Sequence, residues 1–207
     1  MANREQYEYK IILLGEAGVG KTSLFNRIKT GRFHDGQSTQ GADRHTYTTT
    51  IGDDQVNVSL WDTGGGERFR TLTNNFYRNA DGAFLVYCLE DNYTFENLQE
   101  WIDDASQHVN MDSFKWALIG NKCDLPNEVE KSRVEARCEQ LQTKLFYSVS
   151  AKTGHNVMKS FNDLISAIHK KQHTRQQPHT QAHRSDKVQV DSVGSSTGKK
   201  PSKGGCC

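Results

Sequence analysis

The chain has 207 residues, 34% hydrophobic and 25% charged, which is enough for one domain with a core of its own and fits the composition of a soluble protein. No apolar stretch approaches the ~20 residues that span a bilayer, and residues 1–10 are too polar for a secretory signal, so the chain reads as made and kept in the cytosol. The formal net charge of +1 conceals an asymmetry, because six Lys or Arg face only two Asp from His173 onward, and that basic tail suits an anionic surface, membrane or nucleic acid, or is a solvated linker.

In chain order, the apolar run Tyr9-Lys10-Ile11-Ile12-Leu13-Leu14 reads as a strand. It leads into Gly15-Glu16-Ala17-Gly18-Val19-Gly20-Lys21-Thr22, which fits G-x-x-x-x-G-K-[ST], and then into a helical stretch at 22–28. This is the pattern of a phosphate-binding loop. Glycines let backbone N–H groups from Ala17 to Gly20 turn inward, Lys21 reaches the β- and γ-phosphates, Thr22 offers a hydroxyl to Mg²⁺, Ser23 follows, and the helix adds the positive end of its dipole. Two β-rich runs follow at 45–51 and 55–61, joined by Gly52-Asp53-Asp54, a hairpin signal.

Residues 67–78 read as an irregular helix, 83–88 as a buried strand, 94–108 as a helix, 115–120 as a strand, 130–143 as a helix, 145–149 as a strand and 156–171 as a last helix. Six strands and five helices in this alternation predict an α/β fold, with residues 1–172 as the domain. Residues 173–207, rich in Gln, His, Ser, Lys and Gly, are expected to be a disordered tail. Of the five cysteines, Cys88, Cys123 and Cys138 read as thiols without a role, and only Cys206 and Cys207 are adjacent.

Three further motifs fall at strand ends, where open α/β sheets bind ligands. Trp61-Asp62-Thr63-Gly64-Gly65 supplies an Asp that can hold a Mg²⁺ hydration shell and a Gly65 N–H for the γ-phosphate. In Asn121-Lys122-Cys123-Asp124, the Asp124 carboxylate can accept from the N1–H and exocyclic amine of guanine, a pattern adenine lacks, while the Lys122 stem covers the base. Ser150-Ala151-Lys152 can offer a backbone N–H to the guanine carbonyl. Each tripeptide alone could be a helix N-cap, and the weight lies in four motifs in order.

With these residues the chain resembles the small GTPases of the Ras superfamily, and within them the Rab family, from about Tyr7 to Lys171. The Rab likeness rests on Trp61-Asp62-Thr63, Glu67-Arg68-Phe69-Arg70-Thr71-Leu72-Thr73, Phe76-Tyr77-Arg78-Asn79-Ala80 and the terminal Cys206-Cys207. The resemblance implies a P-loop G domain, a six-stranded mixed sheet flanked by five helices, acting as a GTP/GDP switch with Mg²⁺ in vesicle-mediated membrane traffic. It implies that Thr39 binds Mg²⁺ and the γ-phosphate, and that Phe33, unless it only packs, stacks on the guanine edge. It implies an exchange factor, an activating protein of the TBC type, an escort protein and effectors, and no nucleic acid. Cys206 and Cys207 match the signal for two geranylgeranyl groups, which with the nearby lysines would hold the protein on the cytoplasmic face of an internal membrane, cycling with cytosol.

Two departures of the sequence from that family bear on function. Gly66 stands where most members carry the glutamine that orients the attacking water, so the catalytic set Thr39, Gly65 and Gly66 lacks a carboxamide and intrinsic hydrolysis is expected to be very slow. Arg44 stands where an aromatic, with Trp61 and Phe76, usually forms the effector surface; a charge there predicts a private partner set, unless the stem only lies over the surface with its head in water. A GTP-binding module that never hydrolyses its nucleotide is the competing expectation. A P-loop kinase is not, because it has no need of Asp124.

Overall fold

The structure, a computed structural model, describes residues 6–34, 42–64 and 73–176. The strands are β1 (Gln6–Leu14), β2 (Asp43–Ile51), β3 (Asp54–Asp62), β4 (Gly82–Cys88), β5 (Lys115–Asn121) and β6 (Phe146–Ser148). The helices are α1 (Lys21–Thr30), α2 (Thr73–Tyr77), α3 (Asn92–Glu96), α4 (Leu98–Ser106), α5 (Lys131–Gln140) and α6 (Val157–Gln176).

The strands form one sheet in the order β2-β3-β1-β4-β5-β6, parallel throughout except for β2, which runs antiparallel to β3. Burial follows position in the sheet. All seven residues of β4 are buried, as a central strand covered on both faces requires, whereas the Thr-rich edge strand β2 has no buried residue. The β2–β3 hairpin turns at Gly52, whose φ of 59° a residue with a Cβ seldom adopts, and pairs Ile51 with Asp54.

Successive residues of β1 face opposite sides. Ile11 and Leu13 join the core beneath α1 and α6 with Phe25, Phe84, Phe161 and Leu164, while Ile12 and Leu14 join the core with Leu85, Leu98, Trp101 and Val134 on the other face. The strand order reverses at β1, with β3 on one side and β4 on the other. That reversal opens a crevice beyond the carboxyl ends of the strands, and the segments after β1, β3, β5 and β6 all leave from that edge.

Three helices differ most from expectation. The helix read at 94–108 is two pieces, α3 and α4, interrupted at Asn97, whose backbone stays in the helical region and donates to Tyr93 O; counted as one stretch they leave five flanking helices. Of the helix read at 67–78 only α2 is seen, and 67–72 lie outside the described residues. The last helix continues to Gln176. Among the described residues, no helix is long and apolar enough to cross a membrane.

Candidate functional site

The first wall of the crevice is the loop 15–20. Gly15 leaves β1 at φ 137°, so close to β4 that a Cβ would meet Val86 O at 2.1 Å. Gly20 ends the loop in the left-handed conformation and caps α1 with no side-chain hydrogen bond, and no acidic residue occupies the first turn, which leaves that end of the helix suited to an anion. Lys21 is buried, and its Nζ donates to Gly15 O and Glu16 O, both at 2.7 Å. Burial pushes this ammonium down to about 8, against the pull of the Asp62 and Glu16 charges.

Asp62 ends β3 with no exposed surface. Its Oδ2 accepts from Thr22 Oγ1 at 2.6 Å and its Oδ1 from the Gly64 N–H at 3.3 Å. Burial raises its carboxyl above the ordinary range, while those two hydrogen bonds and the Lys21 charge oppose the rise. Thr63 is buried beside it and donates to Leu13 O at 2.7 Å, tying the end of β3 to β1. The Thr22 hydroxyl and the Asp62 carboxylate are hard oxygen donors, one of them anionic, next to a loop of backbone N–H groups; that set fits Mg²⁺ with a phosphate chain.

The second wall is built by Asn121, the last residue of β5, which is 2% exposed. Its Nδ2 donates to Val19 O at 2.8 Å and its Oδ1 accepts from the Ala151 N–H at 3.1 Å, so one amide spans from the loop after β1 to the loop after β6. A Cβ on Gly20 would stand 2.3 Å from that Nδ2, which explains the glycine. Lys122 turns the chain out of the strand at φ 64°, a strained conformation for a residue with a side chain, costing ~1–3 kcal/mol. Asp124 is exposed; Ser150 Oγ donates to its Oδ1 at 2.5 Å and, with the local backbone and lysines, holds the carboxyl below its ordinary range. Ser150 is buried and its Oγ also accepts from the Thr153 N–H at 3.0 Å.

Most of the residues read from the sequence stand at the two ends of the crevice. Val19, Gly20, Lys21, Thr22 and Asp62 stand together at one end of the crevice, with Ser23 half-buried behind them and Ala17 and Gly18 exposed. Asn121, Lys122, Asp124, Ser150, Ala151 and Lys152 form the other end, although the Ala151 N–H, one of those expected to face a guanine carbonyl, is bonded to Asn121. Phe33 is 37% exposed beyond α1. Thr39, Gly65, Gly66, Cys206 and Cys207 lie outside the described residues.

Arg44, Trp61 and Phe76 also meet. Arg44 pairs with Trp61 across the β2–β3 ladder, its guanidinium 5.5 Å from the indole centroid, with Phe76 edge-on at 6.1 Å. Lys10 Nζ lies over the same indole at 4.6 Å, so Trp61 is flanked by two cations.

Arg27 was invisible as a site residue. It donates through Nε to Ala151 O at 2.8 Å, through Nη2 to Lys152 O and through Nη1 to Gly31 O at 2.7 Å, and so fixes the 151–152 loop from α1. Nothing in the run 22–28 marks it except helical spacing. Glu16 likewise accepts from Trp101 Nε1 at 3.0 Å, which braces the loop after β1 against α4.

A nucleotide-phosphate loop at the switch point of a mixed sheet defines the class. The family model described as Ras family matches residues 10–170. The chain is 36% identical over 173 residues to the Ras-related protein Rab-7a of Paramecium octaurelia, covering 81% of this chain and 84% of that one. It is 38% identical over 168 residues to the Ypt/Rab-type GTPase ypt7 of Schizosaccharomyces pombe, covering 78% and 82%. It is 36% identical over 172 residues to the Ras-related protein Rab-39A of Mus musculus, covering 79% and 78%. The chain belongs to the Ras family and is a small GTPase of Rab type, a nucleotide-binding switch of the kind that serves membrane traffic.

Proposed function

We propose that this protein binds GTP and GDP with Mg²⁺ in the crevice, selects guanine through Asp124, and hydrolyses GTP very slowly unless a partner completes its catalytic set. The observation that carries the reading is the Asn121 bridge, which makes the phosphate loop and the base loops one rigid unit. Lys21, held by two carbonyls at the root of the loop, supplies a cation to the phosphates, and burial brings the pH at which it loses its charge down to about 8. Thr22 and Thr39, with Asp62 acting through the hydration shell, would hold Mg²⁺, which when bound neutralises charge on the phosphate oxygens. Gly65 would offer its N–H to the γ-phosphate. Gly66 has no side chain with which to hold the attacking water in line, and a TBC-type activating protein could supply that carboxamide in trans.

On the same reading, an exchange factor reloads the site, and effectors recognise the surface of Arg44, Trp61 and Phe76, where the stacked guanidinium disfavours an apolar partner pocket. An escort protein delivers the chain for prenylation of Cys206 and Cys207, and two lipid chains with Lys199, Lys200 and Lys203 anchor the tail to an internal membrane on its cytoplasmic face.

Competition against a fluorescent GDP analogue tests nucleotide choice. GTP and GDP displace it near stoichiometry in the presence of Mg²⁺, whereas ATP leaves it bound; equal displacement by ATP contradicts the reading. A pH dependence follows from Lys21. Its ammonium titrates at about 8 in the protein. Phosphates favour the charged form, so the complex keeps the proton to higher pH. Nucleotide affinity therefore falls as pH rises through about 8, by up to ~10-fold per pH unit above it, with proton uptake visible by calorimetry in buffers of different ionisation enthalpy. An affinity flat across that range would remove Lys21 from this role.

A further inference from the structure

The start of β1, the β2–β3 hairpin and the C-terminal half of α6 meet at the edge of the sheet opposite the crevice. There His169 and His173, one helical turn apart and so on one face of α6, converge on a single carboxylate. His169 Nε2 lies 3.2 Å and His173 Nε2 2.9 Å from Asp54 Oδ2, and the three residues offer ligand atoms that all fall within 4.8 Å of one another. The cluster deepens from an open side to a closed one, with side-chain exposures of 37% for His173, 23% for Asp54 and 8% for His169.

The rings are held from behind. Tyr9 Oη lies 2.8 Å from His169 Nδ1. If that nitrogen carries the proton and donates it to Tyr9, the lone pair of Nε2 is turned toward Asp54, which is the arrangement that outer hydrogen bonds impose on metal-binding histidines. The Tyr7 ring packs edge-on against His169 at 4.9 Å and tilted against His173 at 5.0 Å, and the two imidazoles stand edge to face at 4.3 Å. In that tautomer the His169 Nε2 lone pair faces the Asp54 carboxylate at 3.2 Å, an arrangement that a cation between them relieves.

We propose that Asp54, His169 and His173 form a zinc site, with Oδ2 and the two Nε2 atoms as ligands and water in the fourth position. Two neutral imidazoles and one carboxylate are a borderline nitrogen and oxygen set carrying one negative charge, which suits Zn²⁺; Mg²⁺ and Ca²⁺ prefer oxygen throughout. Ligands ~2.0–2.2 Å from a tetrahedral zinc stand ~3.3–3.5 Å apart. The two His–Asp separations are therefore a few tenths of an ångström from the bound geometry. The i, i+4 pair on one helix and the carboxylate on a separate hairpin make the ion a clasp between α6 and the β2–β3 turn. The site is independent of the nucleotide reading.

The test uses the full chain, stripped of metal by a chelator, then titrated with Zn²⁺ against a chromophoric competitor in excess Mg²⁺ and GDP. One equivalent binds, the melting temperature rises with it, and Co²⁺ in place of Zn²⁺ gives visible d–d bands without an intense thiolate band. His173→Ala, at the half-exposed ligand where the fold is least committed, and Asp54→Asn, which keeps the shape, each weaken binding ~10–100-fold or more. The double variant Cys206→Ser with Cys207→Ser binds like the parent. No uptake by the parent, equal uptake by the two ligand variants, or a thiolate-dominated Co²⁺ spectrum would each overturn the site.

Discussion

Asn121→Ala lowers the unfolding free energy by ~2–6 kcal/mol and lowers guanine-nucleotide affinity with it. Both halves of this buried amide are bonded to backbone groups of separate loops, the carbonyl of Val19 and the N–H of Ala151. Truncation takes that partner from each, and a buried polar group left unpaired costs ~1–3 kcal/mol. The loop after β1 then loses its tie to the loop after β6, so phosphate and base contacts cease to support one another. Urea unfolding and nucleotide release rates read the two effects. Asn121→Asp separates them, because it keeps the acceptor for Ala151 while setting a carboxylate against the Val19 carbonyl. An alanine variant with parental stability would mean that the bridge carries no load.

Asp124→Ala costs at most ~1–3 kcal/mol of stability and removes most of the preference for GTP over ATP. The carboxylate is exposed, so little packing is lost; the buried Ser150 hydroxyl keeps the bond it accepts from the Thr153 N–H but loses the acceptor of its own proton. Two hydrogen bonds from the guanine edge to an ionised carboxylate contribute ~1.5–3 kcal/mol each, which together is a preference of ~10²–10⁴-fold. The carboxyl stays ionised across the usable range, since Ser150 holds it below ordinary carboxylate values. Competition of ATP against bound GDP in the variant and the parent measures the loss. Undiminished selectivity in the variant would move guanine recognition to other groups of the crevice.

What could be read in advance was local. The β1 run and the loop after it, the Gly52-Asp53 turn, and the buried runs of β4 and β5 each announce themselves within a few residues, because periodicity and turn chemistry act at short range. The order of the four motifs then implied the crevice. What escaped depends on distant pairs. Arg27 looks like any helical residue until the 151–152 loop is laid beside it. In the sequence Asn121 is only the first residue of the guanine-selecting motif, and its bond to Ala151 occupies an N–H that the motif leaves open. The apolar stripe of the last helix fades after Ile168, so its end was set early, whereas His169 and His173 continue the contact face by meeting Tyr7, Tyr9 and Asp54. Asp54 and His173 are 119 positions apart, a separation no local pattern spans. The break at Asn97 was missed because the apolar spacing of Phe95, Leu98, Trp101 and Ile102 runs on through it.

The central claim is a competent nucleotide site short of one group that positions water. Loading the protein with GTP and Mg²⁺ and following the bound nucleotide by chromatography over hours, with and without Gly66→Gln, tests it most directly. Slow conversion to GDP is expected in the parent, with a marked acceleration by the restored carboxamide. GTP that persists equally in both proteins would contradict it, and the chain would then be a binding module that holds its nucleotide without turning it over.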